Sequence, residues 1–176
     1  MGESMMTVIA IFAATILMFV FPLMSVSERA DDISQLAVQT AIVEFVDTVS
    51  SKGKMTTSDY DGFIQTLAAT GNTYDVELEA KVLDENPGKK VTWTSGDKIG
   101  ENVYYSQFTS QILEKIEEEN GQYILKEGDM FSVSVKNTNQ TLSQLIRNFF
   151  YTVTGNDTYQ IAAEHAKMVT VSGTLK

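Results

Sequence analysis

The pattern of hydrophobic and polar positions divides the chain into one unbroken apolar run and a mixed remainder. No charged residue lies between Glu3 and Glu28, and residues 5–26 contain only two threonines and one serine as polar side chains. As an α-helix this run would be about 33 Å long, enough to cross the roughly 30 Å hydrocarbon core of a bilayer. The run therefore predicts a helix that serves membrane insertion, assembly of a helix bundle, or first one and then the other.

The helix is predicted to continue past the apolar run, because residues 27–51 contain neither Gly nor Pro. Pro22 lacks a backbone donor and clashes with the preceding turn, which predicts a kink or melted turn around residues 19–22. Gly53 is expected to end this helix of about 45 to 50 residues. Its second half carries two apolar stripes at helical spacing. The stripes consist of Ile33, Leu36, Ala37, Thr40 and Val43, and of Val38, Ile42, Phe45 and Val49.

Short helices and strands are predicted after Gly53. Thr57 or Ser58 is expected to cap a helix with Phe63, Ile64 and Leu67 facing the core. Apolar and polar residues then alternate at the period of a half-exposed strand, with an antiparallel partner soon after. The strand covers residues 74–81 and its expected partner covers residues 91–94.

The last third of the chain predicts two more helices and two more strands. A helix over residues 106–119 is expected to bury Phe108, Ile112, Leu113 and Ile116, and a short extended piece follows it. A strand over residues 130–136 places Phe131, Val133 and Val135 on one face. A helix over residues 141–151 is expected to turn Leu142, Leu145, Ile146 and Phe149 inward. The final strand or hairpin covers residues 159–175, with residues 163–165 as the place for a bend.

These elements predict the α+β class: a long N-terminal apolar and amphipathic helix, with a small antiparallel sheet and short helices packed on its distal half. The expected division is residues 1–52 for the helix and 53–176 for the globular part. The chain of 176 residues has no cysteine, which excludes a disulfide framework and thiolate chemistry. Its formal net charge of -10 argues against a nucleic-acid partner.

Few residues suggest catalysis. His165 is the one histidine, and a surface or turn position is the simpler interpretation of it. The acidic run from Glu114 to Glu119 is better explained as a solvated helix face than as a metal or acid–base cluster. Since phosphate-binding loops, dinucleotide fingerprints and hydrolase motifs are all missing, we predict neither an enzyme nor a bound cofactor.

Glu3 carries a single carboxylate just ahead of the uncharged run. It would rest in the headgroup layer if the helix only anchors the chain in a membrane. If apolar helices pack together outside a membrane, a buried Glu3 would cost several kcal/mol unless a cation pairs with it. The nearest candidate cation is a free N-terminal ammonium on Met1, from the same chain or from a neighbour.

Taken together, Glu3, the uncharged run, Pro22 and the amphipathic continuation to about Ser51 resemble the type IV pilin superfamily. The usual glutamate of that family lies two positions further along than Glu3, and its paired C-terminal cysteines are absent here. The C-terminal half, around residues 131–150, looks more like the TadE-like pilin-related proteins. The resemblance implies a basic leader removed by a prepilin peptidase, a processed and often methylated Met1, and a Pro22 near which the helix melts during assembly.

The resemblance implies a structural subunit of an extracellular pilus-like filament. Its expected partners are copies of itself, the cytoplasmic membrane before assembly, and the pilus assembly machinery. The alternatives are a minor pilin or pseudopilin, and a membrane-anchored extracytoplasmic binding domain that never polymerises. Met1, Glu3 and Pro22 are the expected assembly residues. The expected filament core consists of Met5, Val8, Ile9, Phe12, Ile16, Phe19 and Val20.

Overall fold

The structure, a computed structural model, describes residues 2–84, 103–146, 148 and 160–174. It confirms the α+β fold: a long N-terminal helix, a small antiparallel sheet and short helices. The elements in chain order are α1 (Gly2–Lys52), β1 (Lys54–Thr56), α2 (Thr57–Ala68), β2 (Tyr74–Leu83), β3 (Tyr104–Phe108), α3 (Thr109–Glu118), β4 (Gln122–Ile124), β5 (Met130–Asn137) and β6 (Ala162–Met168).

Helix α1 is continuous over its 51 residues and includes Pro22. Residues 19–22 are helical, so the expected melted turn is wrong, while the alternative of a kink at Pro22 stays a prediction. The helix ends where expected. Gly53 adopts a left-handed φ of 65° and donates its N–H to the Val49 carbonyl at 2.9 Å. Glycine suits this position because it has no Cβ to clash with the following carbonyl.

The main sheet has four antiparallel strands in the order β3-β2-β5-β6. Its register places Leu78 opposite Val133 and Ala80 opposite Phe131, all four of them buried. Because side chains alternate across a strand, the polar residues between them, such as Glu79 and its partner Ser132, face the other side. One face of the sheet therefore belongs to the core and the other is polar.

The core lies between that apolar face and the distal half of α1. The α1 stripe of Val38, Ile42, Phe45 and Val49 is buried there. The Phe45 ring stacks on Phe63 of α2 with 4.4 Å between centroids, and meets Phe131 edge-on at 6.0 Å. The inward positions predicted for α2 are confirmed, since Phe63 and Leu67 are buried and Ile64 packs against the core.

Two helix starts differ from the predictions. The cap of α2 is Thr56, rather than Thr57 or Ser58, and it forms a capping box with Asp59. Residues 106–108 belong to strand β3, so α3 begins at Thr109 and not at residue 106. The Phe108 side chain is 58% exposed on the outer face, which makes the prediction that it faces the core wrong. Pairing with β2 overrides the local helical pattern there.

Strand β1 was not predicted. It pairs with β4 in a second, two-stranded sheet, with Met55 opposite Tyr123. Both of these side chains are buried. Three residues are too few to establish a period, so only this pairing across the chain identifies them as a strand.

The C-terminal predictions are partly wrong. Residues 142–146 are helical, but Leu142 and Leu145 are exposed instead of facing the core. Strand β6 covers Ala162–Met168 without the bend expected near residues 163–165. Residues 91–94 and Phe149 lie outside the described residues.

Candidate functional site: the N-terminal apolar helix

The first half of α1 extends away from the core and is surrounded by exposed apolar side chains. Phe12 is 69% exposed, and no residue of the most apolar stretch is buried. By length and composition alone, this helix could cross a membrane. An exposed apolar surface of this size marks a place where lipid or another protein binds.

The two threonines within the apolar run bond to carbonyl groups of the helix itself. Thr7 Oγ1 donates to the Glu3 carbonyl at 2.8 Å, and Thr15 Oγ1 donates to the Ile11 carbonyl at 2.8 Å. Such i−4 bonds need no water. The run can therefore enter an apolar environment without leaving either hydroxyl unpaired.

The residues expected to form the filament core share one side of the helix, because they recur at intervals of three and four. Six of them are exposed and Val20 is partly covered. The other sides of the helix are also apolar, since Met6, Met18 and Phe21 are exposed as well. The six exposed residues are Met5, Val8, Ile9, Phe12, Ile16 and Phe19.

The expected assembly residues stay apart from the globular core. Glu3 is exposed in the first turn of α1, and Pro22 is exposed in the helix interior. Met1 lies outside the described residues. Within the described part of the chain, neither Glu3 nor Pro22 is brought near a second chemical group that would make a catalytic site.

Of the two stripes on the distal half of α1, the structure buries only one. The other stays on the surface, with Leu36 65% exposed and Val43 also exposed. Thr40, between them, donates its hydroxyl to the Leu36 carbonyl at 2.8 Å. The hydroxyl is therefore paired, and the methyl group of Thr40 can contribute to the apolar stripe. This exposed stripe continues the apolar surface beyond the run: its residues are Ile33, Leu36, Ala37, Thr40 and Val43.

A buried polar cluster lies at the junction of the apolar run and the globular part. Asp31 Oδ2 accepts a hydrogen bond from Thr141 Oγ1 at 2.8 Å, and both residues are buried. Thr141 and Gln144 also bond each other reciprocally, as in a capping box. The sequence pattern did not predict this cluster, although the Thr-x-x-Gln spacing is typical of such a cap.

Among the residues that the structure describes, the other charged groups do not converge on a reactive centre. Asp47 on α1 contacts Lys167 of β6 at 2.8 Å and His165 at 3.8 Å. The hydrogen bond from Lys167 lowers the pKa of Asp47 below its ordinary value, and this outweighs the opposing effect of desolvation. His165 is a half-buried strand residue rather than a turn residue. The predicted solvated acidic face of α3 is confirmed, because Glu114 and the glutamates at 117–119 are exposed.

The polar face of the main sheet carries a second group of acids. Glu77 and Glu79 of β2 and Glu164 of β6 line a shallow hollow together with Ser132 and Ser134. Ser106 Oγ donates to Glu79 at 2.7 Å. Within the described ranges, no group of three or more acidic or histidine side chains is arranged to hold a metal ion.

Comparison of this chain with models of protein families, with curated proteins and with solved structures finds no match. Any function assigned to the chain therefore rests on its own described surfaces, above all on the exposed apolar surface of α1.

Proposed function

We propose that this protein is a structural subunit of an extracellular pilus-like filament that polymerises through α1. In this proposal the run from Met5 to Val26 holds the newly made chain in the cytoplasmic membrane and later packs against the same run in neighbouring copies. Burying even about 1,000 Å2 of apolar surface is worth about 25 kcal/mol before the entropic costs of association. The acidic globular part then faces the solvent.

The observation that carries the proposal is the exposed stripe on the distal half of α1. A bilayer could cover Met5 to Val26. Leu36, however, lies about 15 Å beyond Val26 along the helix axis, and Val43 lies about 25 Å beyond it. Both remain exposed in the single chain. A neighbouring subunit shifted along the helix axis could cover both the run and the stripe, whereas a membrane alone could cover only the run.

Repetition of this contact gives an open helical polymer. The stripe and the run are different surfaces of one helix, so an axial shift that also brings the run of one copy over the stripe of the next makes a heterologous contact. Such a contact continues as an open filament when the rotation between copies does not close a ring. Glu3 would enter the apolar interior of such a filament and would need a cation from the same or a neighbouring chain. A minor subunit of the same kind of filament would use the same surfaces at lower copy number.

The test is electron microscopy of material sheared from cells that make the protein, with mass spectrometry of its N-terminus. Filaments composed of this chain are expected from the native sequence, and few or none from Leu36→Gln. Met168→Gln is the matched control, because Met168 is an exposed apolar residue on the sheet, at 51% exposure. It should leave assembly intact.

Two results would count against the proposal. If the native chain stays in the membrane fraction and no fibres are released, it is a membrane-anchored domain. If Leu36→Gln assembles as well as the native chain, the stripe has no role in polymerisation. Circular dichroism of both variants should match the native spectrum, since both side chains lie on the surface.

A further inference from the structure

The helical segment at residues 142–146 lies beside the end of the apolar run. The hydrogen bond of Thr141 to Asp31 fixes the start of this segment against α1. Asp31 is five residues past Val26, which corresponds to about 7.5 Å along the helix axis. If Val26 marks the edge of a hydrocarbon core, this segment begins at the outer limit of the headgroup layer, which is about 5–7.5 Å thick.

This segment turns its polar side inward and its apolar side outward. Thr141, Ser143 and Gln144 are buried, while Leu142 and Leu145 are each 50% exposed. Residues three apart lie on the same side of a helix, so the two leucines form one small apolar patch. The bonds of Thr141 to Asp31 and Gln144 hold the segment in this orientation.

We propose that Leu142 and Leu145 insert into the headgroup layer of the same bilayer that holds α1. The globular part would then have a second membrane contact, which limits its tilt and rotation about the helix. This inference depends on the membrane-anchored stage of the proposed function. Short apolar patches of this kind bind the boundary between headgroups and acyl chains in other interfacial helices.

A lipid surface fits this patch better than a second protein does. Two half-exposed leucines offer far less than the roughly 800 Å2 that each partner contributes to a stable protein interface. A patch beside an existing membrane anchor can bind lipid with a smaller contact area. The anchor already holds the patch next to the bilayer, so the effective concentration of lipid is high. The net charge of -10 repels anionic lipid, so the contact should be apolar, insensitive to salt, and present on neutral phosphatidylcholine.

The absence of cysteine allows each position to be labelled singly in the full chain. The variants Leu142→Cys and Leu145→Cys, carrying an environment-sensitive fluorophore, are reconstituted into phosphatidylcholine vesicles that contain lipid quenchers at shallow or deep positions. Phe12→Cys reports on insertion of α1. Met168→Cys is the distant control, because Thr170 near it bonds Ser50, about 28 Å along α1 from Asp31.

The expected result is quenching of the labels at 142 and 145 by shallow quenchers, of the label at 12 by deep quenchers, and no quenching at 168. If the label at 12 is quenched while those at 142 and 145 behave like the label at 168, the second contact is wrong and anchoring stands. If the label at 12 is not quenched, both the anchored stage and this inference fail.

A second copy of the chain is the remaining occupant to exclude. Protection of the labels at 142 and 145 that rises with protein concentration, and does not change with the quencher in the lipid, would overturn the lipid contact. Circular dichroism of the double variant Leu142→Ser/Leu145→Ser checks folding, because both leucines are surface residues. That variant should keep the native fold. A label at Gln140→Cys, an exposed position just before the patch, should be quenched by shallow quenchers in the otherwise native chain and lose that quenching in the double variant.

Discussion

Gly53 and Gly173 lie so close together that neither position has room for a side chain. A methyl group on Gly53 would overlap the Val171 carbonyl, and one on Gly173 would overlap the Gly53 carbonyl. Gly173 also donates its N–H to Leu125 at 2.9 Å, and Leu125 donates to Gly53 at 2.8 Å. The C-terminal segment is thereby packed directly on the end of α1.

Replacing Gly53 with Ala should therefore destabilise the globular part strongly. The left-handed backbone alone costs a residue with a Cβ about 1–2 kcal/mol, and the overlap with backbone atoms adds to this. Urea denaturation measures the loss. Gly62→Ala on α2 is the control, because nothing lies within 4 Å of its position. Equal stability of the two variants would contradict the close packing.

The buried side of the sheet should tolerate truncation far less than the outer side. Phe131 is fully buried and contacts Phe45, so Phe131→Ala should cost about 3–5 kcal/mol. Phe108→Ala on the exposed face should change stability by about 0.5 kcal/mol or less. Thermal denaturation of both variants tests which side each ring faces. A large loss from Phe108→Ala would restore the prediction of an inward ring.

The capping box of α2 should contribute stability that depends on pH. Partial burial tends to raise the pKa of Asp59, but hydrogen bonds with Thr56 and the ion pair with Lys52 at 3.0 Å lower it below its ordinary value of 3.8. A carboxyl with a lowered folded pKa stabilises the fold above its unfolded pKa, and that contribution is lost as pH falls through the folded pKa.

Asp59→Asn should accordingly destabilise the protein at pH 7, and the difference from the native chain should shrink as pH falls below 3.8. Thr56→Ala should cost about 1 kcal/mol at pH 7, as helix caps usually do. Asp61→Asn, an exposed position on the same helix, is the comparison. Urea denaturation across this pH range gives the result, and a pH-independent effect of Asp59→Asn would refute the assigned role.

Pro22 should weaken α1 locally even though the helix runs through it. Proline has no N–H, so the Met18 carbonyl loses its usual donor, and a proline in a helix interior costs about 3 kcal/mol. Pro22→Ala in micelles should slow amide hydrogen exchange on both sides of residue 22. Thr15→Ala, which keeps every backbone donor, should not. Unchanged exchange in Pro22→Ala would show that the native helix already compensates for the proline.

Local pattern was enough to predict α1, α2 and β5, because each has a long or clear period and one buried side. The local pattern gave wrong predictions where the pairing of a strand with a distant strand decides the structure. Strand β1 is defined only by its pairing with β4, and residues 106–108 join β2 as a strand instead of starting α3. These contacts connect residues far apart in sequence, which a periodic pattern does not encode.

In the candidate site, too, one part was predictable from the local sequence and another part depends on distant contacts. The apolar run is continuous in sequence, so its exposed helix was predictable from composition and length. Leu142 and Leu145 were expected to face the core because leucines usually do. Their orientation follows instead from Thr141 and its bond to Asp31, 110 residues away. The sequence does not indicate that a short polar cluster would outweigh two leucines.

The order in which the chain is synthesised separates α1 from the residues it needs. The buried stripe of α1 ends at Val49, yet it packs against β5 and β6, which end at Asn137 and Met168. The ribosome therefore makes the helix first and its covering sheet last. The globular part can complete its fold only after β6 has emerged, and until then the stripe that includes Val38 and Ile42 lacks the strands that cover it.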